Sequence, residues 1–237
     1  MRQWQARVGQ SVWIAFATIG MILGGWQAAA AQEQKIDVNG IVRDTQQVSN
    51  EGGEFNIAWW LPDEFWKASL AAKPGATTPA QQETLIKVVH PYFIIGIISG
   101  KSGAFGAMTY RTEAEVRAMV QLKDSEGNIY KPLADDKVDG SVPALLGLMK
   151  PGMARMMGPM GENINFYIFE GTNKDGSRKY DPLRDGAFEM DLGDRVFKWR
   201  LPLDSVVPKQ KCPTCGETLS GAYKFCPYDG AKLARNR

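Results

Sequence analysis

The sequence predicts an α+β fold, mainly β with inserted helices, built as an antiparallel β-sandwich or open barrel that ends in a small metal-held unit. Three observations carry this. Several segments alternate apolar and polar residues with the period of two that turns one face of a strand into a core. Two pairs of such segments are joined by turn-forming residues, as in hairpins. The last thirty residues twice carry a short cysteine-bearing knuckle.

The N-terminus reads as an export signal. Arg2 and Arg7 form a basic start, residues 12–25 are apolar and uncharged, and alanines 28–31 supply the small residues of a cleavage site after Ala31. The apolar run is shorter than the roughly 20 residues of a comfortable span. A retained anchor is the alternative, and either way the arginines stay inside and the rest crosses the membrane. The destination is therefore periplasmic or extracellular. Cleavage removes two of the 28 basic residues and none of the 26 acidic ones, which leaves the mature chain formally neutral. A neutral exported chain is a poor candidate for nucleic-acid binding, which wants a basic face.

Residues 32–208 are long enough for one domain with a substantial core. In chain order, the alternating segments predict strands at 35–42, 54–60, 116–123, 128–131, 163–169, 187–192 and 195–201. Asp124-Ser125-Glu126-Gly127 and Gly193-Asp194 are the turn centres of two hairpins. The unbroken apolar run 92–98, between Pro91 and Gly100, suits a central strand buried on both faces. Helices are expected at 62–72, where Pro62 is followed by Asp63 and Glu64, and at 79–89. A third is expected at 142–149, stopped by Pro151. Residues 73–79 and 171–186 read as loops. A short connector, 206–210, leads to a C-terminal unit at 209–237.

That unit contains Cys212-Pro213-Thr214-Cys215-Gly216 and Phe225-Cys226-Pro227-Tyr228-Asp229-Gly230. Two residues between ligands let both side chains turn to one point, and zinc takes four ligands at tetrahedral corners. Carboxylate oxygen is an acceptable zinc donor, so Cys212, Cys215, Cys226 and Asp229 form a sound Cys₃Asp set. The following glycines suit tight bends. Residues 211–233 resemble the zinc-ribbon family, with an aspartate where a fourth cysteine usually stands. The resemblance implies a structural Zn²⁺ rather than a catalytic one, since no histidine lies nearby. So small a unit then draws much of its folding energy from the metal. A disulfide between two of the three cysteines, or no metal, are the alternatives.

Upstream no catalytic residues emerge. Ser99-Gly100-Lys101-Ser102 follows an apolar strand, but a phosphate loop requires glycine at position 95, which is Ile95. A glycine-rich surface turn over 100–106 is the better reading. Met153, Met156, Met157 and Met160 stand at helical spacing, and thioether sulfur suits Cu(I), so periplasmic copper handling is one function class. Packing, or contact with a partner or lipid, accounts for the same residues. His90 is the single histidine and reads as structural, so no Ser-His-Asp or Cys-His system assembles. The neighbours Asp63 and Glu64, like Asp135 and Asp136, read as capping or solvent-facing. A carboxylate-based hydrolase would need acids from distant segments. Trp59, Trp60 and Trp66 read as core at a strand–helix junction. The expected function is a non-catalytic binding or assembly protein of the cell envelope, with another envelope or secreted protein as partner.

Overall fold

In the computed structural model, residues 37–103 and 107–234 are described. The export signal and its cleavage site lie outside them. Among the described residues there are six α-helices and eleven strands, all strand pairs antiparallel.

The apolar run that reads as a central strand is the middle of the larger sheet. β3 (Tyr92–Ser102) pairs with β2 (Glu54–Trp60) on one side and β7 (Asn165–Glu170) on the other, so that Ile95 lies opposite both Trp60 and Tyr167. β1 (Gln46–Glu51) extends the sheet beyond β2, and β4 (Met108–Tyr110) pairs with the far end of β3. β3 is buried from Phe93 to Gly100 because both faces are covered. On one face Trp59 meets Phe65 of α2 (Asp63–Ala71) edge to face at 5.2 Å. On the other, Trp60 and Phe93 meet Phe188 of the second sheet at 4.9 and 5.1 Å.

That second sheet runs β6-β5-β8-β9, from the hairpin of β5 (Gln121–Asp124) and β6 (Ile129–Tyr130) and the hairpin of β8 (Gly186–Asp191) and β9 (Val196–Leu201). Phe188 stacks on Trp199, whose indole N–H donates to the Thr45 carbonyl at 3.1 Å. The sheets thus face each other across aromatic side chains, as in a sandwich. Among the described residues no strand pair joins them into a closed barrel. Both turn centres close hairpins: Asp124 accepts backbone bonds from Glu126 and Asn128, and Gly193 adopts φ +85°.

Three expectations need correction. In 35–42 the described residues start a helix, α1 (Val38–Thr45), not a strand. Asp37 caps it by accepting from the backbone N–H groups of Asn39 and Gly40, and Val38, Ile41 and Val42 stand at the helical spacing i, i+3, i+4, whereas only Ile36, Val38 and Val42 keep the alternation. Within 116–123, α4 (Glu113–Met119) precedes the strand, opened by a reciprocal Thr112–Glu115 capping box. Pro151 does not stop the third helix: α5 runs from Ser141 to Met157. Gly147, whose carbonyl loses its bond to the missing proline N–H, is exposed like Pro151, so water can serve it.

α2 and α3 (Pro79–Val89) stand where the sequence puts them, α3 behind a Thr78–Gln81 capping box. α6 (Pro159–Glu162) turns back onto α5, with Gly161 packed so closely that a Cβ would fall 2.1 Å from the Met153 carbonyl. At the C-terminus β10 (Gln210–Lys211) and β11 (Thr218–Leu219) form a two-stranded sheet with a cluster of its own: Cys212, Leu219, Cys226 and Leu233. Gln210 ties it together, donating to the carbonyls of Ser220 and Tyr223 at 2.9 and 2.8 Å.

Candidate metal centre

The two knuckles are the same structure twice. Cys212 N–H donates to Glu217 O at 2.9 Å, and Cys226 N–H donates to Ala231 O at 2.8 Å. Gly216 N–H bonds back to Cys212 O and Gly230 N–H to Cys226 O, each at 3.0 Å. Both glycines adopt positive φ, +76° and +73°, where a side chain would be strained. The first donor of each knuckle, Cys212 or Cys226, is buried, and the second, Cys215 or Asp229, lies at the surface.

These turns bring all four donor atoms within 4.8 Å of one another, so Cys212, Cys215, Cys226 and Asp229 can hold a metal ion. The Cys215 and Cys226 sulfurs are 3.7 Å apart, and Cys212 Sγ lies 3.3 Å from Asp229 Oδ2. A tetrahedral ion with metal–sulfur bonds of about 2.3 Å requires sulfur–sulfur edges of about 3.8 Å, so the donor set fits such an ion with little rearrangement. Backbone N–H groups of Thr214 and Cys215 point at Cys212 Sγ, at 3.4 and 3.5 Å.

The electrostatics suit a cation. Asp229 is held at about 2, chiefly by the Ala231 backbone N–H, with the three thiols assisting against the cost of burial. The Cys215 thiol is pulled down by the Glu217 backbone N–H, yet burial and the surrounding Asp229, Cys212 and Cys226 groups push it up to about 12. Burial opposes ionisation of Cys212, but the Cys215 and Thr214 N–H groups bring it below its ordinary value. So many acidic donors in one place resist ionising together unless a cation arrives.

A second cluster escaped the sequence reading. Asp63 and Glu64, expected to cap a helix or face solvent, stand in the first turn of α2 but are buried there. Arg178, from the loop after β7, donates to both Glu64 oxygens at 2.8 and 3.0 Å and to Asp181 Oδ1 at 2.6 Å. It also stands 3.8 Å from Asp63 Oδ2, which lies 2.6 Å from His90 Nδ1. These groups border a narrow cleft lined by Trp60, Asp63, His90, Tyr92, Arg178 and Tyr180. Asp63 and Arg178 are far apart in the chain, and nothing local singles Arg178 out among the other charged residues of its loop, such as Lys174, Asp175, Lys179 and Asp181.

The remaining candidates separate. Asp135 and Asp136 are exposed, as expected, and Trp59, Trp60 and Trp66 are core residues. Gly100 lies inside β3 against Thr109 and Tyr110 of β4, and Ser102 ends the strand; residues 104–106 of the expected surface turn lie outside the described ones. Of the methionines, Met153 is buried, Met157 and Met160 pack against the core, and Met156 faces water. Among the described residues no helix is long and apolar enough to cross a membrane. Compared with protein-family models, curated proteins and solved structures, the chain matches none.

Proposed function

We propose that the chain is an exported, non-catalytic binding or assembly protein of the cell envelope whose tail is a zinc ribbon. One structural Zn²⁺ would be held by Cys212, Cys215, Cys226 and Asp229. The observation that carries this reading is the closed set of four converging donors on two matched knuckles. Four protein donors complete a tetrahedron and leave no position for a substrate, as in structural rather than catalytic sites. Export rests on the basic start, apolar run and small-residue site of the N-terminus. The partner is another envelope or secreted protein, and the exposed aromatic side chains of the ribbon, Tyr223, Phe225 and Tyr228, suit such contact.

A hydrolase is the second reading, favoured by the convergence of Asp63, Glu64 and Asp181 beside the His90 cleft. It ranks second because the three acids are engaged by Arg178 or His90. Copper handling would need Met153, Met157 and Met160 to leave their packing and join Met156. The metal content of the mature chain, purified without added metal, tests the zinc ribbon against copper handling. One zinc and no copper per chain is expected. Copper would favour metal handling, and absence of any metal would overturn the zinc ribbon.

A further inference from the structure

The tail presents one of its three cysteines to solvent. Cys215 is exposed, whereas Cys212 and Cys226 are buried. The Cys215 sulfur stands 3.7 Å from the sulfur of Cys226, which belongs to the other knuckle. A disulfide bond is about 2.05 Å long, so the two sulfurs need to close by roughly 1.7 Å to form one. Cys212 is engaged differently. Its sulfur lies 3.3 Å from Asp229 Oδ2, and the backbone N–H groups of Thr214 and Cys215 point at it from 3.4 and 3.5 Å. These contacts hold it to its own knuckle and beside the carboxylate.

The aspartate makes the donor set asymmetric. Four thiols can oxidise in two pairs. Three thiols and a carboxylate can form one disulfide and must leave one thiol over, because thiol–disulfide exchange does not touch a carboxylate. The pair that faces across the knuckles is Cys215 with Cys226. Oxidising it removes two of the four donors. One thiolate and one carboxylate do not fill a zinc tetrahedron, so the metal and the disulfide exclude each other. The knuckles stay joined in both states, by coordination in one and by a covalent bond in the other.

We propose that the tail is a redox switch in which Cys215 and Cys226 exchange the metal for a disulfide. The proposal rests on the zinc-ribbon reading and adds regulation of that same site. The oxidant is a disulfide, small or protein-borne, of the kind that oxidising compartments maintain. The exposed Cys215 thiolate, kept ionised by coordination, attacks one sulfur of the oxidant. A mixed disulfide forms and one thiolate is expelled. The Cys226 thiolate then attacks the Cys215 sulfur, which closes the Cys215–Cys226 bond and expels the second thiolate. The two cysteines lose two electrons, the oxidant gains them, and each expelled thiolate takes a proton from water. With half of its donors gone the site releases Zn²⁺, and Cys212 stays reduced.

The test starts from the reduced mature chain, residues 32–237, loaded with zinc, freed of excess metal and then exposed to oxidised glutathione. Zinc released to a chromophoric indicator, the count of free thiols and the disulfide map are read on the same sample. The expected result is loss of the bound zinc together with two of the three thiols. After alkylation, cleavage behind lysine should yield peptides 212–224 and 225–232 joined by a disulfide, with the alkyl group on Cys212. Reductant and fresh zinc should restore the starting state. Retention of zinc with all three thiols would overturn the proposal. A link from Cys212 to either of the other cysteines, or glutathione left on single cysteines, would overturn it as well. A reduced chain that takes up no zinc would overturn the ribbon reading, and the exchange with it, before any oxidant is added.

Discussion

Arg178 donates two hydrogen bonds to Glu64, 114 positions earlier in the chain, and thereby pins a loop of the upper sequence to the first turn of α2. Burial works against the charge on Arg178, but Glu64, Asp181 and Asp63 more than compensate and keep its guanidinium ionised. Removing the arginine strands the buried Glu64 carboxylate and leaves Asp63 to His90 alone. Arg178→Ala should therefore cost about 3–5 kcal/mol, read from urea unfolding. Pairing it with Glu64→Gln should recover part of the loss, because the uncompensated charge goes with it. A loss within about 0.5 kcal/mol would show that water already screens the cluster.

Phe188 is the meeting point of the two sheets, touching Trp60, Phe93, Tyr180 and Trp199 with ring centroids within 5.1 Å. Phe188→Ala should destabilise by about 3–5 kcal/mol, visible as a lowered denaturant midpoint. Phe188→Leu, which keeps most of the volume, should lose clearly less. Equal losses would mean that the ring geometry, not the filled space, holds the sheets together.

At the other end of the sandwich Glu54 receives Lys101 and Arg111, and Arg111 also binds Asp194. Contact with Asp194 and Lys101 leads, and Arg111 adds to it, so that burial is overcome and Glu54 falls from 4.5 to about 2. A folded-state value below the unfolded one means that protonation favours unfolding. This contribution is fully present above pH about 4.5 and is lost as the pH falls toward about 2. Thermal midpoints measured across that interval should drop less steeply in Glu54→Gln than in the parent. Parallel profiles would locate the acid sensitivity elsewhere.

For the proposed ribbon, Cys226→Ser should abolish metal retention and unfold the tail, since its sulfur belongs both to the candidate donor set and to the buried cluster of the tail. Asp229→Ala should weaken zinc roughly 10–100-fold or more, whereas Asp229→Cys should hold it at least as well as the parent. Competition against a chromophoric chelator measures all three. If Asp229→Ala binds like the parent, the carboxylate is not a ligand.

Much of the architecture was readable because it is local. Tyr92–Ile98 reads as a central strand since an unbroken apolar run needs cover on both faces, and α2 on one face and Phe188 of the second sheet on the other supply it. Asp124 and Gly193 mark hairpins through their own backbone preferences. The knuckles were readable for the same reason: each turn is complete within six residues. α1 misled because Ile36, Val38 and Val42 alternate while Val38, Ile41 and Val42 fit a helix, and only the Asp37 cap and the burial of Ile41 decide for the helix. β1, with the sequence Gln-Gln-Val-Ser-Asn-Glu, carries almost no apolar signal and becomes a strand by pairing with β2.

By itself, the sequence determined the turns, the hairpins, the central strand and the four converging donors of the tail, because each depends on interactions within a few residues. Tertiary structure alone decided that Asp63 and Glu64 are buried, that Pro151 lies inside a helix, and which methionines face water. Each of those outcomes depends on what distant segments place alongside a residue. The chemistry of a side chain does not reveal whether an arginine such as Arg178, more than a hundred positions away, will arrive to neutralise it.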